Sequence, residues 1–293
     1  MKKLVDDREL LKKAVVELIK RASTDLPEDV VNAIRGAAER EDEGSQARNV
    51  LMKLLENAEV ARSEFIPICQ DTGTNIYYIY YPPGVSQLYL RDVVIEATRE
   101  ATARAYLRPN AVHSITGKNS GDNVGIGSPF IHFNEWNDEA LQFKLMLKGG
   151  GCENVGAQYK LPDSGLKAGR DLDGVKHCVV DTVTNAQGLG CAPGIIGVGI
   201  GGDRGSSYLL SKEQFFRKLD DRNEDETLAD MEDELFEKLN SLGIGPMGFG
   251  GKTTVLGVKI GHLHRLPASY FVSVSYMCWA YRRKIMTIKN GSV

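Results

Sequence analysis

Ile76-Tyr77-Tyr78-Ile79-Tyr80-Tyr81-Pro82-Pro83-Gly84 is where the texture of this chain changes. β-Branched and aromatic residues run together and stop at a proline pair and a glycine, the pattern of a strand closed by a turn. Before it, the first 60 residues read as helices. Leu10, Leu11, Ala14, Val15, Leu18 and Ile19 recur at helical spacing, and Val50, Leu51, Leu54 and Leu55 mark a later helix. Between them, Pro27 falls in the first turn of a second helix, where its missing N–H costs little. After the tyrosine strand, residues 91–107 form an amphipathic helix. Residues 141–147, 194–200, 253–260, 270–276 and 284–289 read as strands, and 207–218 and 227–241 as helices. The acidic run from Asp220 to Asp233 reads as a solvated connection. Helices and strands without regular βαβ alternation predict an α+β (irregular α/β) fold. It is expected as one domain over residues 1–293, with 1–60 a helical subregion ahead of a mixed-sheet region that carries glycine-rich loops.

Composition excludes several classes of function. The 293 residues are 42% hydrophobic and 26% charged, with a formal net charge of -3, which does not suit a nucleic-acid surface. No apolar run approaches the ~20 residues of a membrane helix. The start, Met1-Lys2-Lys3-Leu4-Val5-Asp6-Asp7, lacks the apolar stretch of a signal peptide. Five scattered cysteines are too few for a disulfide framework, and a reducing cytoplasm is expected.

The 31 glycines are clustered, and three of those cysteines sit in glycine- or turn-rich stretches. Cys69 sits in Cys69-Gln70-Asp71-Thr72-Gly73-Thr74, Cys152 in Gly149-Gly150-Gly151-Cys152-Glu153-Asn154, and Cys191 in Gly188-Leu189-Gly190-Cys191-Ala192-Pro193-Gly194. Glycine beside a thiol lets backbone approach a bulky object and offers it N–H groups. Cys178, inside His177-Cys178-Val179-Val180, has the surroundings of a packing residue. Three thiols with no close-spaced fourth suit an iron–sulfur cluster with one iron left open. Their separations, 83 residues (69 to 152) and 39 (152 to 191), match no zinc or ferredoxin spacing, so structural cysteines and a cysteine nucleophile with a histidine partner stay open. His262 and His264 are two apart, which puts them on one side of a strand.

Other glycine patterns carry less. Gly197-Val198-Gly199-Ile200-Gly201-Gly202 matches the dinucleotide fingerprint, but its first glycine falls inside the strand and not in the turn after it. Gly250-Gly251-Lys252-Thr253-Thr254 lacks the earlier glycine and the following helix of a phosphate loop. It could still serve as an anion pocket, or be a tight turn with an exposed lysine.

Taken in order, the three cysteine segments resemble the iron–sulfur hydro-lyases of the class I fumarate hydratase and L-tartrate dehydratase family. Leu242-Gly243-Ile244-Gly245-Pro246-Met247-Gly248-Phe249-Gly250-Gly251-Lys252-Thr253-Thr254 and Cys278-Trp279-Ala280-Tyr281-Arg282-Arg283 strengthen the resemblance, which runs from about residue 25 to the end and covers the family's α-subunit or N-terminal catalytic region. It implies a 4Fe–4S cluster held by Cys69, Cys152 and Cys191, whose open iron acts as a Lewis acid. It also implies Asp71 as a catalytic residue, and Gln70, Arg108 and Lys252 as substrate-binding residues. Two departures stand out. Ala192-Pro193-Gly194 replaces the usual proline pair, and many members place the second cysteine before Lys148, where this chain has Leu145-Met146-Leu147. Cys152 is therefore the candidate and Cys278 its rival. The implied reaction is reversible hydration of fumarate to malate, with tartrate dehydration as the alternative and a regulatory or scaffold protein as the non-enzyme alternative. A β-subunit carrying the second catalytic domain and self-association of α-chains are the implied partners.

Overall fold

The computed structural model describes residues 7–289, so the reading of the segment before Asp7 lies outside the described residues. The fold is α+β. The chain divides into two compact units, one built from the segments up to Pro27, Asn57–Gly149 and from Arg282 on, the other from Glu28–Glu56 and Gly150–Tyr281.

In the first unit, α1 (Arg8–Thr24) begins where the Asp7 carboxylate accepts from the Leu10 N–H at 3.0 Å, a side-chain N-cap. The tyrosine run is β1 (Thr74–Tyr81), and α4 (Gln87–Ala103) follows it, capped by Ser86. Strands β2 (Phe130–Glu135), β3 (Leu141–Lys148) and β8 (Arg283–Ile288) complete a four-stranded sheet of order β2-β1-β3-β8, parallel only between β1 and β2. Leu11, Val15 and Ile19 of α1 and Leu90, Val94 and Ala97 of α4 pack with Tyr77, Ile79, Phe143 and Leu145 in one core. The register sets Thr74 opposite Lys148. The loop after Cys69 and the start of the glycine run at Gly149 thus emerge at the same end of the sheet.

The second unit carries α2 (Glu28–Arg40), the first part of α3 (Gln46–Glu64), α5 (Gly150–Asn154), α6 (Leu172–Ala186), α7 (Arg204–Glu213) and α8 (Glu226–Asn240). Its sheet has the order β4-β7-β5-β6, from β4 (Ala157–Lys160), β5 (Gly194–Ile200), β6 (Val255–His262) and β7 (Phe271–Met277). β5 is buried along its whole length and pairs parallel with β6 and antiparallel with β7. Gly197 and Gly199 explain the fingerprint-like pattern. A Cβ at either would run into the Ser211 or Ser207 carbonyl oxygen, so the glycines let α7 lie directly on the strand.

Several sequence expectations shift. The Cys152 segment is a short helix, not a loop. α6 and β2 were not foreseen, because α6 is apolar around Cys178 and β2 alternates too weakly to stand out. The acidic run is not a solvated connection. Glu232 is nearly buried on α8, accepts from Arg217, Asn223 and the Ile260 N–H, and joins a network in which Asp221 binds Arg217 and Lys259. Buried charges persist only when paired in this way. His262 ends β6 and His264 lies beyond it, so the two do not share a strand face. Lys212 of α7 pairs with Glu153 at 2.5 Å. Among the described residues, no helix is long and apolar enough to cross a membrane.

Candidate active site

The first unit gathers four of the expected site residues. Cys69 is half-buried and Gln70 exposed, in the turn that leads into β1. Asp71 closes that turn, its Oδ1 accepting from the Gly73 N–H at 2.9 Å, an Asx arrangement that leaves the other oxygen out of the turn's own hydrogen bond. Gly73 holds φ +82° with its α-carbon against the β3 backbone, where any Cβ would lie 2.8 Å from Leu147 and Lys148 atoms.

Arg108 is brought to the same turn from the end of α4. Its Nη1 donates to the Gln70 carbonyl at 3.2 Å, and its backbone N–H donates to Thr72 Oγ1 at 3.1 Å. Asn110 Nδ2 donates to the same Thr72 oxygen at 3.0 Å. Asn123 fixes the chain around them. Its Oδ1 accepts from the backbone N–H of Asn110 and Ala111, and its Nδ2 donates to the Arg108 carbonyl at 2.8 Å. Asn123 sits at φ 62°, a conformation that asparagine tolerates better than most residues. Arg108 is thus held through its hydrogen-bonded backbone while its side chain stays exposed. Beside this loop lies a cavity of about 840 Å³ lined by Gly73, Asn75, Asn110, His113, Lys118 and Asn123. The Oδ1 of Asn75 in its wall is buried without a hydrogen-bond partner.

Arg282 belongs to the Cys278-Trp279-Ala280-Tyr281-Arg282-Arg283 segment. It is almost fully buried and donates from Nη1 to the Asp71 carbonyl at 2.6 Å. Gly149 leaves room for this arrangement, since a Cβ there would lie 3.0 Å from Asp71 Oδ2 and 3.6 Å from Arg282 Nη2.

The second unit holds the other two expected thiols. Cys152 is buried in α5, and Cys191 is exposed at φ 56° in a tight turn closed by its own N–H to the Gly188 carbonyl at 3.0 Å. The Cys191 carbonyl accepts from the Trp279 N–H at 3.3 Å. Cys278 is buried and its thiol contacts the Ala280 carbonyl at 3.8 Å. Tyr276 stands among these thiols. Burial pushes its phenol pKa upward, and the charges of Cys278, Cys152 and Cys191 push it further. Gly190 and Gly194, on either side of Cys191, lie flat against its ring. Sequence reading missed Tyr276, and its only linear signal is a tyrosine two residues before a cysteine at a strand end. Cys178 is fully buried on α6 and its thiol is pushed up to about 12, first by burial, as befits a packing residue.

Lys252 is engaged elsewhere. Its ammonium pairs with Asp42 at 2.5 Å, and its backbone N–H donates to both oxygens of Glu41. Both ends of the ammonium pair are more than half exposed, so it is weakly held and open to competition by another anion.

Among the described residues, no three His, Cys, Asp or Glu side chains converge to hold a single metal ion. A cluster is wider than an ion, and thiolates at its corners need not converge on one point. The donors of the second unit fit such a group: two soft thiols at glycine-flanked positions, beside a buried tyrosine hydroxyl that has no partner.

Residues 12–287 match the family described as fumarate hydratase (Fumerase), and the chain belongs to that family. It is 49% identical, over 94% of its length, to a Geobacillus stearothermophilus protein provisionally named fumarate hydratase class I, and spans about half (54%) of that relative. It is 38% identical to a Methanocaldococcus jannaschii protein provisionally named L(+)-tartrate dehydratase subunit alpha, over 94% of this chain and 96% of the relative. To the L(+)-tartrate dehydratase subunit alpha of Escherichia coli K12 it is 31% identical, over 91% of this chain and 86% of the relative.

Proposed function

We propose that this chain is the catalytic α region of a class I fumarate hydratase, a hydro-lyase that reversibly adds water to fumarate to give (S)-malate. The observation that carries the reading is the 49% identity, across nearly the whole chain, to a relative named for that activity. Cys69, Cys152 and Cys191 would hold a 4Fe–4S cluster. When bound, the cluster supplies a Lewis acid at an iron without a protein ligand.

The chain's own residues divide the remaining work. Arg108 binds a substrate carboxylate through its planar fork, kept in place by Thr72, Asn110 and Asn123. Gln70 orients the substrate from the adjoining position. Asp71, fixed by Gly73 and Arg282, moves a proton at its carboxylate. Lys252 adds a cation once a substrate anion competes with Asp42 for it. Hydration sets a hydroxyl on one alkene carbon and a proton on the other. The base on the opposite face, together with closure against water, comes from a β-subunit or second domain. The relatives named subunit alpha support a partner of this kind. Self-association of α-chains belongs to the same reading, as does a reducing, cytoplasmic setting for the five free thiols.

L-tartrate dehydration is the second reading, favoured by the names of the α-subunit relatives and by the Gly151-Cys152 pair. Anaerobic turnover of fumarate and of L-tartrate, measured with a co-expressed β-subunit, separates the two. Fumarate turnover is expected, and turnover of tartrate alone overturns the first choice.

A further inference from the structure

We infer that Tyr276 donates its hydroxyl hydrogen to the sulfur ligands contributed by Cys152 and Cys191, and thereby tunes the group they hold. The inference rests on the cluster reading above and adds a residue to it. Tyr276 is fully buried, and its Oη has no hydrogen-bond partner. Buried hydroxyls are nearly always satisfied, so an orphan marks a place where an acceptor belongs. The ring is clamped by bare backbone. A Cβ at Gly190 would lie 2.6 Å from its Cε1, and one at Gly194 would lie 2.5 Å from the hydroxyl itself. The hydroxyl therefore abuts the turn that carries Cys191 and has no room to swing away. Thiolate or sulfide sulfur held by the neighbouring cysteines supplies the acceptor chemistry, and a hydrogen bond to it stabilises the reduced, more negative state of a cluster.

Tyr276→Phe removes the hydroxyl and keeps the ring that the glycines pack on. Wild type and variant are reconstituted anaerobically with iron and sulfide, and iron content, midpoint potential and the rate of iron loss to a chelator are measured. Both are expected to take up the same iron. The variant's potential should be more negative, and it should lose iron several-fold faster. The metal-free variant should melt at the same temperature as wild type or higher, because it loses only an unmade hydrogen bond. An unchanged potential and loss rate overturn the inference, as does a metal-free variant that melts lower. If the wild type itself takes up no iron, the cluster reading fails first, and the wild-type sample alone shows it.

Discussion

At the residue scale, Asp71 combines a turn contact with the proton transfer proposed for it. Its turn needs one acceptor oxygen for the Gly73 N–H, and its carbonyl receives Arg282. Asp71→Asn keeps an oxygen for the Gly73 N–H and leaves the carbonyl that receives Arg282 in place. If the carboxylate moves a proton, kcat with a β partner should fall roughly 10²–10⁴-fold, the range for general acid–base groups. A variant that retains full turnover assigns the proton transfer elsewhere. The thiol–Gln70–Asp71 segment was legible because its chemistry is contiguous in sequence. Arg108 joined it only through the family resemblance. Asn123, Arg282 and Tyr276 escaped, since each acts across space on a partner that is not its neighbour in sequence, and no periodicity encodes such contacts.

At the element scale, the glycines of β5 are a packing device. Gly197→Ala drives a methyl into the Ser211 carbonyl, which lies on α7 and cannot yield without lifting the helix. Overpacking of this kind costs about 1–3 kcal/mol, and chemical denaturation should show at least that loss, whereas wild-type stability would contradict the assigned contact. The Asp221 network gives a pH signature. Burial alone would raise the Asp221 pKa, but hydrogen bonds from Arg217 and Lys259 outweigh it and hold the carboxyl below the usual carboxylate range. A depressed folded-state pKa stabilises the fold above the unfolded-state value, and that contribution is lost as pH falls through the folded-state value. Asp221→Asn should therefore lower the melting temperature at neutral pH and flatten its acid dependence below about pH 4. Parallel melting curves for both proteins across that window would refute the pairing. Sequence reading placed most strands and helices, because β-branched runs and helical spacing are local signals. It missed the burial of the acidic run, where charge density hid an ion-pair network.

At the scale of the whole molecule, the α+β class was legible from the change of texture at Ile76, whereas the interleaving of the two units was not. Contacts between distant segments set it, such as Lys284 with Asp25 in the first unit and the Leu219 N–H with Asp29 in the second. The proposed function assigns Cys69, Cys152 and Cys191 as the ligands of one cluster. Iron and sulfide content after anaerobic reconstitution tests it directly, with Cys69→Ser, Cys152→Ser, Cys191→Ser and Cys278→Ser compared against wild type. A full cluster is expected in wild type and in Cys278→Ser, and loss or severe depletion in each of the other three. A cluster that survives Cys152→Ser but is lost in Cys278→Ser would contradict that assignment.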